Sequence, residues 1–179
     1  MRKAKFVPFA HEDLELKNYL IEYARTLSTK EDAEAQIACA VIYASFAEYM
    51  AGHLLDNLRY LVYQTTYRDY AGILYQDERD DKKIRTMGQT INLLRAFGFP
   101  DKEDILRLLE QVSKSRNNLF HNFAKADAKG FEVLDADIAR IKEDTEEIFA
   151  KVNTIYAGLQ KIIIDPDQAT SLTTKNDSK

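Results

Sequence analysis

The stretch Ile37-Ala38-Cys39-Ala40-Val41-Ile42-Tyr43-Ala44-Ser45-Phe46-Ala47-Glu48-Tyr49-Met50-Ala51 decides how this chain folds. Ile37, Val41, Ala44, Ala47 and Ala51 recur at three- and four-residue steps, and Leu54, Leu55, Leu58, Leu61 and Val62 carry the pattern on. Together they fill more than one face, and a helix apolar on several sides lies centrally among its neighbours. The spacing predicts one long helix from about Lys30 to Tyr67, with Ser28 or Thr29 capping its start and Glu31 and Asp32 following. Glu48 sits inside the apolar run, between Ala47 and Tyr49. A carboxylate in such surroundings needs a partner.

Outward from this segment the same reading gives four more helices. Leu16, Tyr19, Leu20 and Tyr23 predict a first helix over about His11–Leu27, with these residues as its apolar stripe. Gly72 and the acidic run Asp77-Glu78-Arg79-Asp80-Asp81 mark a break. A third helix is expected over about Asp81–Phe97 through Ile84, Met87, Ile91 and Leu94. Gly88 inside it costs about 1 kcal/mol against alanine, and close approach of another helix is the expected compensation. Pro100 stops that helix and Asp101 can cap a fourth, over about Lys102–Phe123. After a loop with Gly130, Asp135 can cap a fifth helix that ends near Ile163. The expectation is an all-α, up-and-down bundle of about five helices in one domain over 1–164, and a polar, disordered tail at 165–179.

Composition supports this. The 179 residues suit one core, and 3 Pro and 6 Gly are too few for the turns of many strands. The one cysteine, Cys39, lies among Ala38, Ala40 and Val41, reads as core, and fits a reducing cytosol. No run reads as long and apolar enough to span a bilayer, so a cytoplasmic protein without membrane contact is expected. A net charge of −4 argues against unspecific, charge-driven binding to duplex DNA. Locally the balance inverts: between Lys114 and Lys129, Arg116 and Lys125 join those two lysines against Asp127 alone.

The chemistry-bearing segment is Lys114-Ser115-Arg116-Asn117-Asn118-Leu119-Phe120-His121-Asn122-Phe123, at the end of the fourth helix. A permanently charged guanidinium can hold a phosphate, and an imidazole can move a proton near neutral pH. At about 100° per residue, Arg116 falls within the stripe of Ile105, Leu109, Val112, Leu119 and Phe123. There it must be paired, line a cleft or interface, or snorkel to water. His121 points about 140° away and shares its face with Asn117 and Glu110. One chain could unite the two only by distorting the helix near Asn122. Two copies paired across a dimer axis could unite them without strain.

Arg116-Asn117-Asn118-Leu119-Phe120-His121 resembles the defining motif of the HEPN superfamily: Arg, a polar residue, and His after a gap of four to six. The setting is similar too, with the motif on a late helix before a final long one, an acidic residue such as Glu48 on the second helix and a glycine such as Gly88 on the third. The likeness spans about residues 11–163, but only three side chains of it are specific. It implies a homodimer with a composite cleft and a metal-independent, cofactor-free endoribonuclease of the toxin–antitoxin or phage-defence kind, in which an antitoxin partner is possible. Arg116, His121 and Asn117 would be catalytic, with Lys114, Lys125 and Glu48 contacting substrate. The alternative within the resemblance is a non-catalytic binding or dimerisation module.

Other features carry blander expectations. Tyr60, Tyr63, Tyr67 and Tyr70, with Arg59 and Arg68, could stack bases but read better as packing. His53 and Asp56 are too few for a metal site, and His11-Glu12-Asp13 suits a helix start.

Overall fold

The computed structural model describes residues 11–70, 85–123 and 131–164, with side chains at 18–62, 85–122 and 134–159. The expected tail, Lys125, the acidic run, and the side chains of Tyr63, Tyr67, Tyr70, Arg68 and His11 to Asp13 lie outside these. Among the described residues all regular structure is helical and there is no strand: α1 (His11–Leu27), α2 (Ala33–Tyr70), α3 (Met87–Leu94), α4 (Lys102–Phe123) and α5 (Phe131–Ile164). Each helix packs on the next in sequence, the order of an up-and-down bundle, and α2 touches all four others. The broadest seam joins α4 to α5.

Helix α2 is central for the reason its pattern gives. Ala44, Ala47, Ala51, Leu54, Leu55 and Leu58 are buried in one core with residues from every other helix, and Cys39 and Tyr43 are fully enclosed. Burial pushes the Cys39 thiol above its ordinary range. By length and composition Ala33–Val62 would pass for a membrane-crossing segment, which the sequence reading did not register. Half of its most apolar part is buried inside the bundle, so its apolar character has a core to fill.

Helix ends differ from expectation where local hydrogen bonds compete. Ser28 and Thr29 do not open α2: their hydroxyls donate back to the Arg25 and Thr26 carbonyls and finish α1. Asp32 is the cap instead, its Oδ1 accepting from the Ala35 N–H at 2.8 Å. Helix α3 starts late, at a capping box in which Thr86 and Gln89 satisfy each other's backbone N–H. Helix α5 begins at Phe131, so Asp135 is an exposed residue inside it rather than its cap. Asp101 precedes α4 with φ 55°, and its carbonyl accepts the Ile105 N–H at 2.9 Å.

On α1 the stripe is misplaced by one step. Ile21, Ala24 and Leu27 face the core, whereas Tyr19 is 66% exposed, Leu20 and Tyr23 are exposed too, and the two tyrosine rings stack on each other outside. What ties α1 down is polar. Arg25 grips Glu146 of α5 with Nε at 2.9 Å and Nη2 at 2.8 Å, and the buried Tyr43 of α2 donates to the same carboxylate at 2.8 Å. The Arg25 hydrogen bonds, helped by Tyr43 and opposed by burial, hold the Glu146 carboxyl below its ordinary value of 4.5. A lowered carboxyl contributes stability that is complete above the unfolded value and lost as the pH falls through the folded one. Burial raises the Asp144 carboxyl, which has the opposite sign. Glu146→Gln is therefore expected to flatten the loss of melting temperature that the native protein shows below about pH 4.5. Parallel acid limbs in the two proteins would refute the role of this carboxylate.

Gly88 is not compensated by a close helix. A Cβ built there meets nothing within 4 Å among the described residues. Gly88→Ala should thus raise stability by up to about 1 kcal/mol, read as a higher urea midpoint, because the glycine's extra unfolded freedom is removed at no steric expense.

Candidate functional site

Helix α4 positions the motif. Ile105, Leu109, Val112 and Leu119 are buried, as their spacing requires, and Ser115 joins them. This seam orients the remaining side chains. Arg116 turns toward α2, where its Nη1 donates to Glu48 Oε2 at 3.1 Å. The two groups that the apolar surroundings marked as needing a partner, 68 residues apart, are each other's partner. Their side chains are 27% and 33% exposed, so the pair is neither snorkelling freely nor sealed from water.

The contact uses one nitrogen of the guanidinium, Nη1. A guanidinium carries five N–H groups in a planar fork and binds phosphate through two parallel bonds. Among the described residues Glu48 is the hydrogen-bond partner of Arg116. The other N–H groups of the guanidinium meet no protein acceptor among the described residues, which leaves them available to an anion. Glu48 holds Arg116 from α2 and keeps a third of its own side chain exposed.

Helix α4 stays α-helical through Phe123, with no distortion near Asn122. The angular separation of Arg116 and His121 therefore keeps the value of about 140° that an ideal helix gives. One chain does not bring these two groups together. Between them around the helix lie Phe120, an apolar ring 52% exposed, and Asn117, also exposed. His121 is exposed in the last turn. Lys114 is exposed on the same side as Asn117 and His121.

Helix α3 forms the second wall of a groove along that side. Gly88 and Asn92 of α3 and Arg95, the residue that caps its end, face Glu110, Lys114, Asn117 and Asn118 of α4 across about 480 Å³. Arg95 hydrogen-bonds Asn92 at 2.9 Å and pairs with Glu110. Asn92, Arg95 and Asn118 carry no signal in the sequence that marks them as groove residues. The shared face of Glu110, Asn117 and His121 was visible from helical spacing, but nothing in the sequence says that α3 lies opposite.

The remaining candidates disperse. His53 turns to α5, with its Nδ1 3.1 Å from the Tyr156 hydroxyl and 2.9 Å from Asn57 Nδ2. Asp56 pairs with Arg85 at 3.3 Å. They do not converge, and no group of three or more metal-ligating side chains occurs among the described residues. Tyr60 is half-buried on α2, with its aromatic neighbours outside the described side chains. No protein-family model, curated protein or solved structure matches this chain.

Proposed function

We propose that this chain is a HEPN-type, metal-independent endoribonuclease that works as a homodimer. The observation that carries the reading is the Arg116–Glu48 pair: a half-buried guanidinium on the motif helix, held through Nη1 and with no other protein acceptor among the described residues. Asn117 and His121 stand exposed on the same helix, too far round it for one copy to form the site. A second copy laid over the exposed Phe120 would set its own His121 beside this Arg116.

In that cleft His121 takes the proton of a ribose 2′-hydroxyl as the oxygen attacks the adjacent phosphorus, and a protonated imidazole returns one to the departing 5′-oxygen. Arg116 holds the phosphate and stabilises the charge that grows on its oxygens. Asn117 orients the guanidinium or the scissile group. Lys114 adds a cation along the strand, as Lys125, outside the described residues, would. The products are a 2′,3′-cyclic phosphate and a 5′-hydroxyl.

RNA incubated with the protein in excess chelator should be cut to fragments with cyclic-phosphate ends, and DNA of the same sequence should stay intact for want of a 2′-hydroxyl. Intact RNA would leave the second reading, a binding or dimerisation module. The Glu48 contact fits that reading too, since it would equally hold an arginine with a purely structural task. Phe120→Asp, which places a charge on the exposed ring position, is expected to shift the protein from dimer to monomer in light scattering and to abolish cleavage with it. An unchanged mass would place the contact between copies elsewhere. In a cell such an enzyme acts as a toxin or phage-defence effector in the cytoplasm, and an antitoxin encoded beside it would be its expected partner.

A further inference from the structure

The groove between α3 and α4 has a composition that neither stability nor the catalytic motif requires. Its walls carry three carboxamides, Asn92, Asn117 and Asn118, of which only Asn117 belongs to the motif. A carboxamide offers donor and acceptor side by side, as a nucleobase edge does; Asn92 already accepts from Arg95 through its Oδ1 at 2.9 Å and offers a base its amide N–H groups, while Asn118 offers both. Lys114 stands in the same groove as a phosphate-binding cation, while Arg95 and Glu110 neutralise each other. Gly88 lines the groove too, and among the described residues a Cβ built there would meet nothing within 4 Å, so this wall is free of packed side chains. The volume of about 480 Å³ lies within the roughly 300–1,000 Å³ of small-ligand clefts.

The groove also has a direction. Glu110, Lys114, Asn117 and His121 succeed one another at three- and four-residue steps along α4, so its wall runs on to the histidine. The geometry points to the α3–α4 groove as a subsite for one unpaired nucleotide of a single-stranded RNA, its base read by Asn92 and Asn118 and its phosphate held by Lys114. This rests on the ribonuclease reading for its choice of ligand, but it concerns binding and not cleavage. Unpaired RNA fits because its base edges are open to side chains, whereas a duplex buries them.

The test is fluorescence anisotropy with a short, labelled, mixed-sequence single strand of 2′-O-methyl RNA, which has no free 2′-hydroxyl to react. Asn92→Ala with Asn118→Ala should weaken binding roughly tenfold or more, the effect of losing base-directed hydrogen bonds. Gly88→Phe, which adds a ring to the groove wall, should weaken it similarly. Both asparagines are exposed, so the double variant decides the matter even if Gly88→Phe does not fold. Binding equal to native in the double variant, no binding by the native protein, or equal competition by unlabelled duplex would each overturn the subsite. Cleavage assays fail or succeed independently: a chain that never cuts RNA yet loses affinity in these variants retains the groove and loses only the catalysis.

Discussion

His121→Ala is expected to lower RNA cleavage about 10²–10⁴-fold, the usual contribution of a positioned general acid or base. Its melting temperature should match that of the native protein, because the side chain is exposed in the last turn of α4. Arg116→Ala should lower cleavage about 10²–10³-fold, as does loss of one group that stabilises transition-state charge. It leaves the Glu48 carboxylate without its guanidinium. With a third of the Glu48 side chain exposed, the loss of stability should stay below about 1 kcal/mol. Arg116→Lys keeps the charge but not the fork, and should recover little. Mixing the two alanine variants gives the sharpest result. A mixed dimer retains one Arg116 and one His121, on different copies, so activity returns if a cleft draws one from each. Confirmed mixed dimers without recovered cleavage would end the shared-cleft proposal, and undiminished cleavage by either variant alone would assign the activity elsewhere.

Leu54→Ala should destabilise the fold by about 2–5 kcal/mol, the range for emptying a fully enclosed leucine site. Leu54 is wholly buried in the helix that touches all four others, so no neighbour can move in without breaking another contact. Domains of this size are stable by about 5–15 kcal/mol, which makes this a large fraction of the total. The urea midpoint should fall with the slope unchanged. On the same helix, Val41 and Val62 are exposed, and their alanine variants should stay within about 0.5 kcal/mol of native. Equal losses at Leu54 and Val41 would contradict the central position of α2.

Much of the fold was legible because the signal is local. Helix α4 runs over the predicted Lys102–Phe123, since its apolar spacing, Pro100 and the acidic first turn all lie within a few residues. Boundaries were missed where two hydrogen-bond solutions compete over the same stretch. Ser28 and Thr29 could have opened α2 or closed α1, and Asp32 settled the matter by reaching the Ala35 N–H. The stripe on α1 was missed because aromatic rings look like core wherever they fall. Tyr19 and Tyr23 stack on the outside while Ala24, a weak signal, is enclosed.

The candidate site divides in the same way. By itself the sequence determined that Arg116 and Glu48 each lie in apolar surroundings, and that Arg116 and His121 diverge on one helix. Both follow from a fixed rotation per residue, which needs no neighbour to be known. Only the tertiary structure decided that Arg116 and Glu48 meet, that Gly88 faces open space, and that α3 turns the Asn117 face of α4 into one wall of a groove. Those are distances between segments far apart in the chain. They are set by how five apolar faces share one core, which no residue's own pattern records.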